Sequence, residues 1–197
     1  KFQLVKEFLL LGYSVLLSDV DIVTIKNPFQ HLSRDHDVEA LSDGFDPRTA
    51  YGWDDVFDDP KMGWSRYAHT VRTFMLNSGL FYIRPNERTV LLMDRITERL
   101  SKEKAWDQQV FNEIIFFPSS PGYISPHVTV RVMNIYDFVN SKTLFKVMRY
   151  APETRNHVPV MVHVNYHPDK WDRMKAVIRR YIHGDLHALD KFPVGDH

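Results

Sequence analysis

Two aspartates separated by one residue, Asp19 and Asp21, follow the apolar run Val15-Leu16-Leu17 and Ser18. In extended backbone residues i and i+2 point the same way, so the two carboxylates can converge on one point. Hard oxygen ligands at an exposed edge suit Mg²⁺ or Mn²⁺, and such an ion can carry a diphosphate. Alone, the pair has a plainer explanation: Asp19 caps a turn and Asp21 is solvated. Near the other end of the chain, Val160-Met161-Val162-His163-Val164-Asn165 alternates. The valines take one face, and His163 and Asn165 share the other with Met161. His163 could supply a nitrogen to the same ion, and Lys170, seven residues on, could reach a phosphate. A lone histidine is more often a hydrogen-bonded core residue, so this assignment depends on the company it keeps.

Three further groups carry candidate chemistry. Asn77-Ser78-Gly79 interrupts the strand pattern Thr73–Ile83 and offers an amide beside an accessible backbone. Glycine inside a strand often marks close approach by a ligand, a simple bulge being the alternative. Asp107 and Gln108 fall in the first turn of a helix, where an acid usually serves the dipole. From Asp43 to about Trp64 the regular pattern breaks, and acidic residues alternate with Tyr51, Trp53 and Trp64. Rings beside carboxylates can hold a sugar by its apolar face and its hydroxyls; a solvated acidic loop anchored by tryptophans is the other account. Asp43, Trp53 and Trp64 are the candidate acceptor contacts. Long irregular segments in compact domains are usually functional.

The elements that must position these groups alternate between strand and helix. Phe2, Val5, Phe8 and Leu9 lie near one face of an opening helix that Gly12 suits as an end. Val15–Leu17 reads as a buried parallel strand, which puts Asp19 at a carboxyl end, where open α/β sheets bind ligands. Ile22–Ile25 follows Asp21 and leads to Asn27-Pro28-Phe29, a turn, while Val38–Leu41 and the alternating Val128, Val130 and Val132 predict strands. Asn86 is a candidate N-cap for a helix through Leu100, and a second helix covers Trp106–Ile115. Pro118–Pro126 is turn-rich, and Ser141–Met148 fits neither pattern. After Pro168-Asp169-Lys170 an amphipathic helix presents Met174, Val177, Ile178, Tyr181 and Ile182, closed by Gly184.

A chain of 197 residues supports one domain. Its formal net charge of zero gives no field favouring nucleic acid or an anionic membrane. With no cysteine, disulfides, thiolate zinc sites and thiol nucleophiles are excluded. No apolar run reaches the roughly 20 residues of a membrane span, and there is no signal peptide pattern. The chain opens without Met and already in a helix, so residues upstream, including any targeting segment, are expected. Gly-rich phosphate loops, G-x-S-x-G and paired zinc histidines are absent from the sequence.

Taken together, an oxygen-rich ion site, a lysine for phosphate and a sugar-suited loop fit nucleotide-sugar transfer. The ordered fragments Ser18-Asp19-Val20-Asp21-Ile22-Val23, Asn27-Pro28-Phe29, Ser42-Asp43-Gly44, Met62-Gly63-Trp64, Arg66-Tyr67-Ala68-His69-Thr70, Asn77-Ser78-Gly79, Trp106-Asp107-Gln108 and His163-Val164-Asn165-Tyr166-His167-Pro168-Asp169-Lys170 resemble the plant and algal arabinosyltransferases of glycosyltransferase family 77. Within it they resemble the reduced-residual-arabinose group, which acts on hydroxyproline-linked arabinosides of extensin-type glycoproteins. The likeness runs from about Gly12 to Pro193, and its longer fragments are specific where the bare Asp-x-Asp is not.

The resemblance implies an α/β fold of the GT-A nucleotide-diphospho-sugar transferase type, a mixed, mostly parallel sheet flanked by helices. It implies a UDP-arabinofuranose donor, a retaining transfer and a hydroxyproline-rich glycoprotein acceptor. It also implies a type II membrane protein facing the Golgi lumen, its anchor outside this chain. Asp19 and Asp21 match the metal pair, and His163 and Lys170 fit a third ligand and a diphosphate contact for Mn²⁺ or Mg²⁺. Asn77, Gly79 and Asn165 fit the donor and phosphate loop, and Asp107 and Gln108 a catalytic position near the reacting carbon. Such enzymes hold uridine with strands preceding Asp-x-Asp. Residues 1–197 therefore read as the C-terminal part of one GT-A domain whose N-terminal strands lie upstream. The competing functions are a non-catalytic glycan- or glycoprotein-binding module on this scaffold, and a metal-dependent phosphoesterase, which the want of a second metal cluster disfavours.

Overall fold

The computed structural model describes residues 1–51 and 75–193. In chain order they form α1 (Phe2–Leu10), β1 (Val15–Ser18), β2 (Ile22–Thr24), β3 (Val38–Ser42), α2 (Pro47–Tyr51), β4 (Leu76–Ile83), α3 (Glu87–Lys102), α4 (Asp107–Phe116), β5 (Val130–Val132), β6 (Phe138–Asn140), β7 (Met161–His163) and α5 (Lys170–Tyr181). A 3-10 turn covers Pro28–Gln30, and Thr143–Met148 is π-helical, which resolves the ambiguous stretch before Met148. The chain divides into two compact units. The first comprises Lys1–Val20, Leu32–Leu41 and Leu76–Met133, the second Asp21–His31, Ser42–Met75 and Asn134–His197.

The first unit is built on a sheet of order β1-β4-β3-β5, with β1 antiparallel to β4 and β3 parallel to β5. The apolar run of β1 predicts a buried parallel strand. The strand is instead half-buried at the edge of the described sheet, with Val15 opposite Ile83 and Ser18 opposite Leu80. Valine and leucine satisfy an edge strand under a helix as well as a central one, and the direction of the partner leaves no mark on the strand itself. β4 is buried along all eight residues and runs unbroken through Asn77-Ser78-Gly79, where an interruption is predicted. Phe2 of α1, Phe81 of β4 and Phe111 of α4 pack their rings together, with centroids 5.0–6.3 Å apart. Such contacts add to the gain from burial alone. Phe8 departs from the predicted face of α1 and is 44% exposed, while Gly12 ends the helix at φ +84°.

Asn86 caps α3 as its type and place predict: its side chain accepts from the Thr89 amide while the Thr89 hydroxyl accepts from the Asn86 amide. The same corner holds a buried carboxylate. Asp37 accepts from Arg88 at 2.8 and 2.9 Å, from the Asn86 side chain at 2.7 Å and from the Thr129 amide at 2.9 Å. Burial works against its ionisation, but these donors outweigh it and hold the carboxyl at about 2, below the ordinary 3.8. Because the folded value is the lower one, the stability Asp37 supplies is complete above about pH 4 and is lost as the pH falls towards 2. Asp37→Asn should therefore lower stability by about 2 kcal/mol at neutral pH, the scale of a charged hydrogen bond. Urea titrations of both proteins at pH 7 and pH 2.5 check this; a gap that does not narrow in acid would exclude the mechanism.

The second unit carries a sheet of order β2-β7-β6, β2 antiparallel to β7 and β6 parallel to it. Both sheets with their flanking helices make the mixed α/β architecture that the sequence predicts. Val162 and Val164 pack with Val23, Val139, Phe145 and, from α5, Ala176 and Val177. Each fully buried valine of this kind contributes roughly 2 kcal/mol. Met174, Ile178 and Tyr181 pack on this core as predicted, whereas Ile182 is exposed. The face of α5 also buries Arg173, whose guanidinium lies 4.5 Å from the Phe145 ring and 4.9 Å from the Phe192 ring. Among the described residues no helix is long and apolar enough to cross a membrane.

Candidate functional site

In the second unit the alternation of β7 sends Val162 and Val164 into the core and so turns His163 to the opposite face. Antiparallel pairing sets Ile22 opposite His163, which brings Asp21, the residue before β2, to the histidine ring. His163 Nε2 lies 3.1 Å from Asp21 Oδ1. Pro168 and Asp169 end the extended segment and start α5, and Lys170 in its first position reaches back to Asp21 Oδ2 at 2.7 Å. Burial disfavours the charged form of Asp21, but the hydrogen bonds and charges of His163 and Lys170 prevail, and the carboxyl is held far below the usual carboxylate range. A carboxylate, an imidazole and an ammonium thus converge from residues as far as 149 positions apart in sequence.

Around this centre the polar groups are unevenly satisfied. Asn165 Oδ1 accepts from the Ser141 amide at 3.1 Å, while Asn165 Nδ2 and His163 Nδ1 are buried without a hydrogen-bond partner among the described residues. Asp43 accepts a hydrogen bond from the Tyr166 hydroxyl; burial, followed by this carboxylate, pushes the phenol far above its ordinary range. Trp53 and Trp64, the other two candidate acceptor contacts, lie outside the described residues.

In the first unit the predicted residues gather at the start of α4. The Ser78 amide donates to Gln108 Oε1 at 3.3 Å, and Asn112 pairs with both backbone groups of Leu76 at 2.8 Å. Asn77 Oδ1 accepts from the Gly79 amide, and Gly79 O accepts from the Asp19 amide, both at 2.8 Å. These bonds explain why β4 stays continuous across Asn77, Ser78 and Gly79: α4 supplies side chains that replace water. Gln108 is thereby buried as a support of β4, whereas Asp107 is partly exposed and ion-paired with Lys1 at 2.6 Å. Lys1 also donates to Ser78 O at 3.0 Å. Asp19 is exposed at the end of β1, two residues before Asp21.

Sequence reasoning passed over Lys1, Asn112, Asn140 and Tyr166. For Asn112 a polar side chain on the apolar face of a helix is a usable signal. For Lys1 and Asn140 nothing local distinguishes them from solvated residues.

A family model described as a nucleotide-diphospho-sugar transferase matches residues 1–176. Among curated relatives from Arabidopsis thaliana, arabinosyltransferase RRA2 is 58% identical over 195 residues, covering 99% of this chain and 46% of the relative. Arabinosyltransferase RRA1 is 52% identical over 195 residues, covering 99% of this chain and 48% of the relative. A UDP-D-xylose:L-fucose alpha-1,3-D-xylosyltransferase is 26% identical over 170 residues, covering 81% and 41%. The chain spans about half the length of these curated relatives.

Proposed function

The chain belongs to the nucleotide-diphospho-sugar transferase family, and on that premise we propose that it forms the sugar-transferring part of an arabinosyltransferase. The reaction is a metal-dependent, retaining transfer of L-arabinofuranose from UDP-arabinofuranose to hydroxyproline-linked arabinosides of cell-wall glycoproteins. The observation that carries it is the convergence of Asp21, His163 and Lys170 at the ends of β2 and β7. The similarity to two arabinosyltransferases supports the sugar, and a relative whose name includes UDP-D-xylose supports a uridine-diphosphate donor. On the same reading residues 1–197 are the C-terminal part of one GT-A domain, and the protein is held in the Golgi membrane by a segment outside this chain, facing the lumen.

Asp21, Asp19 and His163 would hold the ion. Two carboxylates and an imidazole suit Mn²⁺ or Mg²⁺, and a buried His163 ring with one nitrogen unpartnered among the described residues fits a histidine whose role is not exhausted by packing. When bound, the ion supplies positive charge to the diphosphate. Lys170 supplies a second cation on the leaving-group side, and Asn77, Gly79 and Asn165 present amide groups to the donor. Asp107, ion-paired with Lys1, and Gln108 would serve near the reacting carbon. Asp43, Trp53 and Trp64 belong to the acceptor side.

The test is UDP release from UDP-arabinofuranose by the natural protein with Mn²⁺, with and without a hydroxyproline arabinoside. Acceptor-stimulated release with a lengthened arabinoside supports the proposal. Acceptor binding without release would indicate a binding module, and acceptor-independent liberation of inorganic phosphate a phosphoesterase.

A further inference from the structure

Asn140, the last residue of β6, is fully buried, and its side chain is saturated. Its Nδ2 donates to Ser42 O at 2.9 Å and to Gly44 O at 2.6 Å, and its Oδ1 accepts from the Thr143 amide at 2.9 Å. The Thr143 hydroxyl lies 3.3 Å from Gly44 O. The next amide, Ser141, donates to Asn165, two residues beyond His163. One residue further, Tyr166 sits at φ +67°, a conformation bulky side chains rarely adopt. Its hydroxyl binds Asp43, and the Lys142 ammonium lies 4.5 Å from its ring centroid. Gly44 leaves no slack, since a Cβ there would stand 2.4 Å from the Ala50 nitrogen.

Residues 42–44, 140–143 and 163–166 are thus tied together by bonds of which none is needed for an ion or a phosphate. Backbone strain of the kind seen at Tyr166 persists only where the surroundings over-determine it. The 42–44 strand end opens the acidic aromatic segment, and 163–166 carries the chain from His163 towards Lys170. We propose that Asn140 and Tyr166 are positioning residues: they latch the start of the acidic aromatic segment to the end of β7 and so set how the acceptor is held, without touching ion or diphosphate. The acceptor part of this rests on the proposed function; the latch itself does not.

Tyr166→Phe in the natural protein keeps the ring beside Lys142 and removes the hydroxyl. Amide hydrogen exchange of residues 44–51 should quicken about tenfold, the worth of one hydrogen bond to a charged acceptor. The acceptor KM should rise by a similar factor, while Mn²⁺ affinity and acceptor-free UDP release stay within about twofold of wild type. Asn140→Asp, which turns a carboxylate onto two carbonyl oxygens, should move the same readouts further; if it does not fold, Tyr166→Phe decides. Unchanged exchange at 44–51 in a folded Tyr166→Phe protein would overturn the latch. Equal losses of acceptor-free release and of transfer would overturn the acceptor role. A wild-type protein that transfers no sugar would sink the proposed function and leave the exchange measurement to judge the latch.

Discussion

Asp21→Asn is expected to reduce sugar transfer by roughly several hundredfold, since groups that stabilise transition-state charge in a dry site are each worth on the order of 3–4 kcal/mol. The substitution keeps the volume and removes one anionic ligand. It also leaves His163 and Lys170 without the carboxylate that both now contact. Folding should survive with a modest loss of stability: the half-exposed Lys170 contributes little, typically below 1 kcal/mol, and the amide oxygen that replaces the carboxylate can still accept from the buried His163 ring. The measurement is transfer rate against Mn²⁺ concentration, alongside the melting temperature and direct Mn²⁺ binding. Asp19→Asn should act in the same direction. If Asp21→Asn transferred sugar at the wild-type rate in limiting Mn²⁺, the ion assignment would be wrong. If its melting temperature collapsed instead, the carboxylate would be a structural group.

Lys170→Ala should leave Mn²⁺ affinity within a few-fold of wild type and slow transfer on the order of a hundredfold, the loss of one electrostatic contact of about 3 kcal/mol. The position of Lys170 supports this. It heads α5, so its ammonium adds to a helix N-terminus, where backbone amides already favour an anion. Lys170→Arg should recover only part of the rate, because a planar fork replaces a compact point charge. Single-turnover rates with donor saturating separate this from a binding defect. A fall in Mn²⁺ affinity as large as the fall in rate would reassign Lys170 to holding Asp21 in place. His163→Ala gives the complementary pattern, with metal affinity lost first.

The sequence made the elements legible wherever a residue type acts on its own neighbours. Asn86 as a cap and Gly12 as a helix end need only local chemistry. The valines at 160, 162 and 164, in and around β7, turn His163 to the other face by alternation alone. What stayed hidden depends on distant partners. The polar centre of β4 looks like a break until Gln108 and Asn112, some thirty residues later, satisfy it. The half-buried antiparallel β1 resembles a buried parallel strand because burial by a covering helix and burial in a sheet select the same side chains. β6 is three residues after an aspartate, too short to show a period. Arg173 reads as part of a solvated face, yet two aromatic rings and Asp169 take it inside. Asp21, His163 and Lys170 could be named from their types. Asn140 and Tyr166 could not, because their role lies wholly in which carbonyl or carboxylate the fold brings to them.

The interleaving of the two units along the chain governs how this molecule can be made. Each unit draws on three separate stretches, and Ile22 of β2 waits for His163 of β7, 141 residues further on in a chain of 197. β3 likewise meets β5 only after Val130 has been added. Closing such wide loops before any contact rewards them slows folding and lengthens exposure of unpaired strand edges. During synthesis, at roughly 5–20 residues per second, the nascent chain would pass several seconds with Val15–Ser18 and Ile22–Thr24 outside the ribosome and unpaired. Chaperone demand should therefore fall on the first half of the chain, and neither unit can be obtained as a contiguous fragment by cutting the protein once.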